Sequence, residues 1–217
     1  MDLAKPLPEM LVARYRHWRS ATFEPHRADY VRLADQGQAP QVMIVSCCDS
    51  RVLVSEMFEA DAGDYFVHRN IAALIPPFRS LGGFHGTLAT IEYAVRSLGV
   101  QHILVVGHSG CGGVAGCHDL CTGEAPDLEA ETSYVGLWLR ILAPCYEKVA
   151  HLPDRAARLA ALEHEGVLLS LRNLMTLPFV REPVEAGRLE LHGAWKNIGG
   201  DELEVYEPGR GFVPTAA

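Results

Sequence analysis

Two hydrophobic runs about sixty residues apart each finish in side chains that bind soft divalent metals. The first is Met43-Ile44-Val45-Ser46-Cys47-Cys48-Asp49-Ser50-Arg51, and the second is Ile103-Leu104-Val105-Val106-Gly107-His108-Ser109-Gly110-Cys111-Gly112-Gly113. The thiolates of Cys47 and Cys111 and the imidazole of His108 make a Zn²⁺ ligand set that leaves a fourth tetrahedral position open, as in catalytic sites. A structural zinc site more often shows two close CxxC or HxxxH pairs. Here Cys47 is solitary and carries a charged companion, Cys-x-Asp-Ser-Arg. Two thiolates neutralise the dication, so such a centre polarises a bound water less than three imidazoles would. The water's pKa is therefore expected above the ~7 known for a His₃ zinc centre, with activity rising as pH rises.

Asp49 follows Cys47 by two residues, close enough to coordinate the ion or to accept a hydrogen bond from its water. Arg51 follows by two more, and a fixed guanidinium can hold a carboxylate in bidentate geometry. If Arg51 captures Asp49, the fourth metal position is free; if it does not, Asp49 can close the site. Asp49-Ser50-Arg51 also suits the start of a helix, with Asp or Ser as N-cap, and capping is compatible with catalysis. The glycines after Cys111 resemble a phosphate loop only superficially. The P-loop Lys-Ser/Thr and the GxGxxG spacing are missing. Gly112 and Gly113 are expected to let the backbone pass close to the metal and to start a helix.

The elements that must position these groups are short, Val/Ile-rich runs, which read as buried parallel strands. Ligands in open α/β sheets bind outside the carboxyl ends of such strands, so Cys47, His108 and Cys111 reach one sheet edge. Residues 9–36 read as two helices divided at Pro25. With arginines scattered among apolar positions, they are expected to lie on another surface, of this subunit or of a partner. Strand 41–46 follows the turn at Gly37 and Pro40, then a helix around 55–59, a turn at 61–64 and strand 65–68. Pro76-Pro77 marks a loop. Helix 86–98 carries the stripe Leu88, Ile91, Val95 and Leu98 and ends at Gly99. Strand 102–107 follows, then a helix from the Gly110–Gly113 run. Helices near 132–150 and 155–177 are separated at Pro153, and segments 189–196 and 202–206 read as closing strands that could form a hairpin. The order predicts an α/β fold: a mostly parallel central β-sheet flanked by helices, with the N-terminal helices packing on a dimer partner.

At 217 residues the chain suits one domain, with 1–36 as a helical arm. A net charge of −8 without any basic run argues against nucleic acid as partner. No apolar stretch reaches the length of a membrane span, and the N-terminus lacks a signal-peptide core, so a cytoplasmic chain is expected. The six cysteines are then reduced thiols. Cys117 and Cys121 read as buried small hydrophobes, and Cys48, opposite in direction to Cys47 on a continuing strand, as a packing residue. His68, His85, His102, His118 and His192 read as structural or surface residues.

Cys47-x-Asp49-Ser50-Arg51 with His108-x-x-Cys111-Gly112-Gly113 resembles the β-class carbonic anhydrases. The resemblance runs through Phe66-Val67-His68-Arg69-Asn70-Ile71-Ala72, Gly86 to Val95 and Leu191-His192-Gly193-Ala194-Trp195, over roughly residues 10–207. It departs at Ala73, where many members carry Asn, and at Cys48, where Ser or Ala is usual. The resemblance implies one Zn²⁺ per chain and reversible hydration of carbon dioxide to bicarbonate and a proton, by attack of zinc-bound hydroxide. It implies an Asp49–Arg51 dyad with open and closed states, and a homodimer, or a tetramer built from it. Phe66, Ile71 and Phe84 would line the substrate pocket, together with Gly112. Gln38 would supply a substrate-binding amide across the dimer interface. By themselves Phe66 and Ile71 equally suit a core, and Gln38 a turn. Some bacterial members carry a second bicarbonate site built on a Trp three residues before the first Cys ligand. That position is Ile44 here, so an open, Arg51-held state is expected. Two rivals remain on the same fold. One is hydrolysis of a related heterocumulene, CS₂ or COS. The other is a non-catalytic zinc-binding regulatory protein, which the presence of Asp49 and Arg51 disfavours.

Overall fold

The computed structural model describes residues 3–78, 85–200 and 202–215. The chain divides into two compact units, Met1–Ala39 and Pro40–Ala217. In the first, α1 (Glu9–Trp18) runs on through a wide helical turn, Arg19–Phe23, before α2 (Arg27–Gln36). Trp18, Phe23 and Tyr30 pack together where the helices meet, with ring centroids 5.1–5.9 Å apart. No residue of either helix is buried, and Met10 and Tyr15 are about 60% exposed.

The second unit is built on a six-stranded sheet of order β2-β1-β3-β4-β5-β6. β1 (Val42–Cys47), β2 (Tyr65–Asn70), β3 (His102–His108) and β4 (Glu190–Lys196) are parallel. β5 (Leu203–Glu207) and β6 (Gly211–Pro214) extend the sheet antiparallel. The α/β class and the mostly parallel sheet expected from sequence are both present. Alternation decides the faces. Met43 and Val45 of β1 and Ile103 and Val105 of β3 point into the main core with Ile91, Val167 and Leu174. Ile44 and Val106 point the other way, onto Val52 and Val54. Each such fully buried aliphatic side chain contributes about 1.5–3 kcal/mol.

The main core is covered by α4 (Gly86–Tyr93) and by α9 (Arg155–Leu174), which Asp154 caps by accepting the Ala157 N–H at 2.8 Å. α9 lies so close to β3 that a Cβ on Gly107 would stand 2.7 Å from Val167 Cγ2.

Several boundaries differ from the sequence expectation. Helix 86–98 is α4 followed by a wide turn, Ala94–Leu98, stopped by Gly99 at φ 67°. The 132–150 stretch is two helices, α7 (Tyr134–Leu139) and α8 (Ala143–Val149), because Pro144 can only open a helix. Pro178 likewise opens α10 (Pro178–Glu185), ending α9 early. Short helices α3 (Val54–Met57) and α6 (Pro126–Glu129), α5 (Gly112–Thr122) and strand β6 complete the unit. Cys48 is exposed rather than packed. β1 stops at Cys47, so strand alternation no longer governs the next side chain.

Candidate metal centre

β1 and β3 are adjacent and in register, with Ser46 opposite Val106, so their last residues leave the sheet at one edge. Cys47 ends β1 and His108 ends β3. Cys111, three residues on, is the residue that precedes α5. All three side chains are buried, 2–5% exposed, and their ligand atoms lie within 4.8 Å of one another. The two Sγ atoms are 4.0 Å apart. Two thiolates on a tetrahedral zinc with ~2.3 Å bonds would stand about 3.8 Å apart. His108 donates its Nδ1–H to the Ser109 carbonyl at 3.0 Å, which leaves Nε2 as the free lone pair. That nitrogen is buried and has no hydrogen-bond partner among the described residues, a state that a metal bond relieves. The donor set, its spacing and this orphaned atom fit Zn²⁺.

The ligand turn is braced from several directions. The Cys111 thiol is hydrogen-bonded to Cys47 and lowers the Cys47 pKa below the ordinary thiol value, while the same contact and burial push the Cys111 pKa up. The Ala72 N–H also donates to Cys47 Sγ, at 3.3 Å. Ala72 and its neighbour Ala73 adopt φ 62° and 53°, left-handed values that cost a non-glycine residue on the order of 1–2 kcal/mol. The strained turn persists because α9 pins the chain after it. Ser170 Oγ donates to the Ala73 carbonyl (3.1 Å) and accepts the Ile75 N–H (3.2 Å), and Asn173 donates to the Ile75 carbonyl (2.7 Å).

Asp49 is forked by Arg51: Nε to Oδ1 at 2.9 Å and Nη2 to Oδ2 at 2.6 Å. The Arg51 backbone N–H adds a third contact to Oδ1 at 3.0 Å, and Nη2 also reaches the Gly110 carbonyl at 3.1 Å. Of the two arrangements left open by the sequence, the captured one is present. The guanidinium holds the Asp49 carboxyl well below the usual carboxylate range. Asp49 does not cap α3, whose N-cap is Leu53; it caps the turn formed by Val52 N–H to Asp49 O.

Two residues at the site carried no assigned role in the sequence. Arg69 of β2 reaches under the Cys47–Val52 turn and donates to three of its carbonyls: Cys47 (2.9 Å), Asp49 (2.7 Å) and Val52 (2.9 Å). Glu163 of α9 is buried; it accepts the Cys111 N–H at 3.3 Å and the Trp195 indole N–H at 3.2 Å, and burial raises its pKa. The signal for Glu163 was legible: it stands on the apolar stripe of α9 four residues before Val167, where a carboxylate has no business unless paired. Arg69 offered none, because its partners are backbone atoms.

Ile71 packs with the Cys47–Cys111 cluster, and its carbonyl accepts the Trp138 indole N–H at 2.9 Å. Phe66 packs instead with the Met43 and Ile91 cluster, against the Tyr93 ring at 5.9 Å. Gly112 opens α5 with open space around it. The close approach falls on Gly113, whose added Cβ would meet Ile71 Cγ2 at 2.7 Å and Ala72 Cβ at 3.0 Å. Gln38 belongs to the N-terminal unit, and Phe84 lies outside the described residues.

The carbonic anhydrase family profile matches residues 42–203. Beta carbonic anhydrase 3 of Arabidopsis thaliana is 32% identical over 206 residues, 92% of this chain and 76% of the relative. A carbonic anhydrase of Synechococcus elongatus is 33% identical over 203 residues, 90% and 70% of the two chains. Among solved structures, the β-carbonic anhydrase CcaA superposes with a TM-score of 0.86 at 28% identity, over 96% of this chain and 92% of that one. A tetrameric β-carbonic anhydrase of Sordaria macrospora gives 0.73 at 28% identity, over 95% and 98%. With a Cys–His–Cys cluster at the carboxyl edge of a parallel sheet and relatives matched over most of its length, this chain belongs to the β-class carbonic anhydrases.

Proposed function

We propose that the chain reversibly hydrates carbon dioxide to bicarbonate and a proton, using one Zn²⁺ held by Cys47, His108 and Cys111. The observation that carries this reading is the buried three-donor cluster beside a carboxylate already captured by Arg51. When bound, the ion supplies Lewis-acid activation of a water, which makes a nucleophile available near neutral pH. Arg51 holds Asp49 ionised and turned to one orientation, so Asp49 acts as a hydrogen-bond acceptor that aligns the attacking O–H and manages its proton. Ile71, which packs against the ligand cluster, and Gly112 at the start of α5 offer an apolar surround to a small apolar substrate, and Gln38 offers an amide to it from a partner subunit.

The functional unit is a homodimer or a tetramer of such dimers. Supporting this, α1 exposes Met10 and Tyr15, and the Sordaria relatives are described as tetrameric. All six cysteines are free thiols, which suits the reducing cytosol. Among the described residues no helix is long and apolar enough to cross a membrane. Ile44 is 1% exposed among Val52, Val54 and Val106, so that position offers an anion no N–H donor. Bicarbonate therefore acts as ordinary product rather than as a regulator.

Stopped-flow assays of the zinc-loaded protein test the reading. Hydration is expected to rise from about pH 7 to about pH 9, and Arg51→Ala is expected to keep zinc while losing activity. No hydration at full zinc occupancy, or turnover of CS₂ in preference to CO₂, would overturn the assignment. Cooperative inhibition by bicarbonate would overturn the unregulated state.

A further inference from the structure

The edge of the sheet opposite the metal centre carries a second set of metal-binding side chains. His102 begins β3, and Glu190 and His192 lie at the start of β4. The parallel register pairs His102 with Glu190 and Leu104 with His192. Paired residues, and residues two apart on one strand, share a face, so all three side chains emerge on one side of the sheet. The full length of β3 separates them from His108, roughly 20 Å at ~3.3 Å per residue.

Their geometry is that of a coordination triangle. His102 Nδ1 and His192 Nε2 are 3.2 Å apart, and Glu190 Oε2 lies 3.5 Å from the first and 3.7 Å from the second. The point equidistant from these three atoms is about 2.0 Å from each, which matches Zn–N and Zn–O bond lengths. Two imidazoles and one carboxylate suit a borderline divalent ion such as Zn²⁺. The side chains are 37%, 68% and 45% exposed for His102, Glu190 and His192, so water can fill the remaining positions and the ion can exchange with solution. The burial that keeps His192 below its ordinary pKa also favours the neutral, ligating ring.

Among the described residues one other cluster has the right residue types, His118, Asp119 and Glu124. There Arg155 forks Asp119 at 2.8 and 2.9 Å. A guanidinium at the carboxylate opposes a second cation. Among the described residues no guanidinium or ammonium group pairs with the His102 triangle.

We propose that His102, Glu190 and His192 form a second, non-catalytic site for a divalent transition ion of the Zn²⁺ class, remote from the catalytic centre. Zinc content after equilibrium dialysis against micromolar Zn²⁺ tests it. The wild-type protein is expected to hold two ions per chain, and the double variant His102→Gln, His192→Gln is expected to hold one. One ion in the wild type, or two in the double variant, would overturn the proposal. Should the double variant fail to fold, Glu190→Gln, altered at an exposed side chain, serves instead. Its second-site affinity in competition with a colorimetric chelator is expected to fall at least about tenfold, and unchanged affinity would overturn the proposal.

Discussion

Replacing Arg69 should loosen the Cys47–Val52 turn without removing a candidate metal ligand. Its guanidinium binds the Cys47, Asp49 and Val52 carbonyls at 2.7–2.9 Å and thereby ties three points of one turn to β2. Hydrogen bonds from a charged donor contribute about 1.5–3 kcal/mol each when fully desolvated. Arg69 is only half-buried, so water can reach some of the freed carbonyls. Arg69→Met keeps the apolar stem, and its net cost is expected to be about 2–4 kcal/mol. For a chain of this size that lowers the melting temperature by roughly 5–15 °C. The released turn also carries Cys47 and Asp49, so CO₂ hydration per bound zinc should fall along with stability. Arg69→Lys, with one compact ammonium in place of a fork, can serve only part of the three-carbonyl set and should fall between the two. Thermal unfolding, elemental zinc analysis and stopped-flow hydration on the three proteins measure these effects. Arg69→Met protein that melts within about 1 °C of wild type and retains full turnover per zinc would refute the reasoning.

Three further outcomes follow from the same geometry. Cys47→Ser and Cys111→Ser should each lose tightly held zinc at the catalytic centre, measured by elemental analysis after chelator treatment; full retention in both would remove the ligand assignment. Gly113→Ala should destabilise by about 1–3 kcal/mol, because its methyl enters the Ile71 and Ala72 side chains. Gly112→Ala, in open space at the start of α5, should be neutral or stabilise by up to about 1 kcal/mol, and urea unfolding of the pair checks the contrast. Burial raises the Asp119 pKa, but the Arg155 fork outweighs it and leaves the pKa depressed. A depressed acid stabilises the fold above its unfolded pKa and loses that contribution as pH falls through the folded value. Asp119→Asn should therefore cost roughly 0.5–1 kcal/mol at about pH 7, with its urea midpoint converging on wild type below about pH 4.

The sequence by itself carried the class of fold and the three candidate metal ligands that the structure brings together. Val/Ile runs at 43–46 and 103–106 specify parallel strands by burial on both faces, and the chemistry of the next residues follows from their type. Pro144 and Pro178 also mark helix starts in the sequence, but the continuous apolar periodicity around them masks the breaks that the structure shows. What the sequence could not give were relations between distant backbone and side-chain atoms. Asp49 could have met an ion or Arg51; the folded turn decided for Arg51, with three contacts to one carboxylate. Arg69 binds carbonyls, which every residue has, so no residue pattern announces its partners. The strain at Ala72 and Ala73 is sustained by Ser170 and Asn173, nearly a hundred residues away. The His102–Glu190–His192 triangle exists only through the register of β3 with β4. Residue type and local periodicity are properties of a short window, whereas these contacts close loops of up to a hundred residues, and their geometry is fixed only when the whole sheet and α9 pack together.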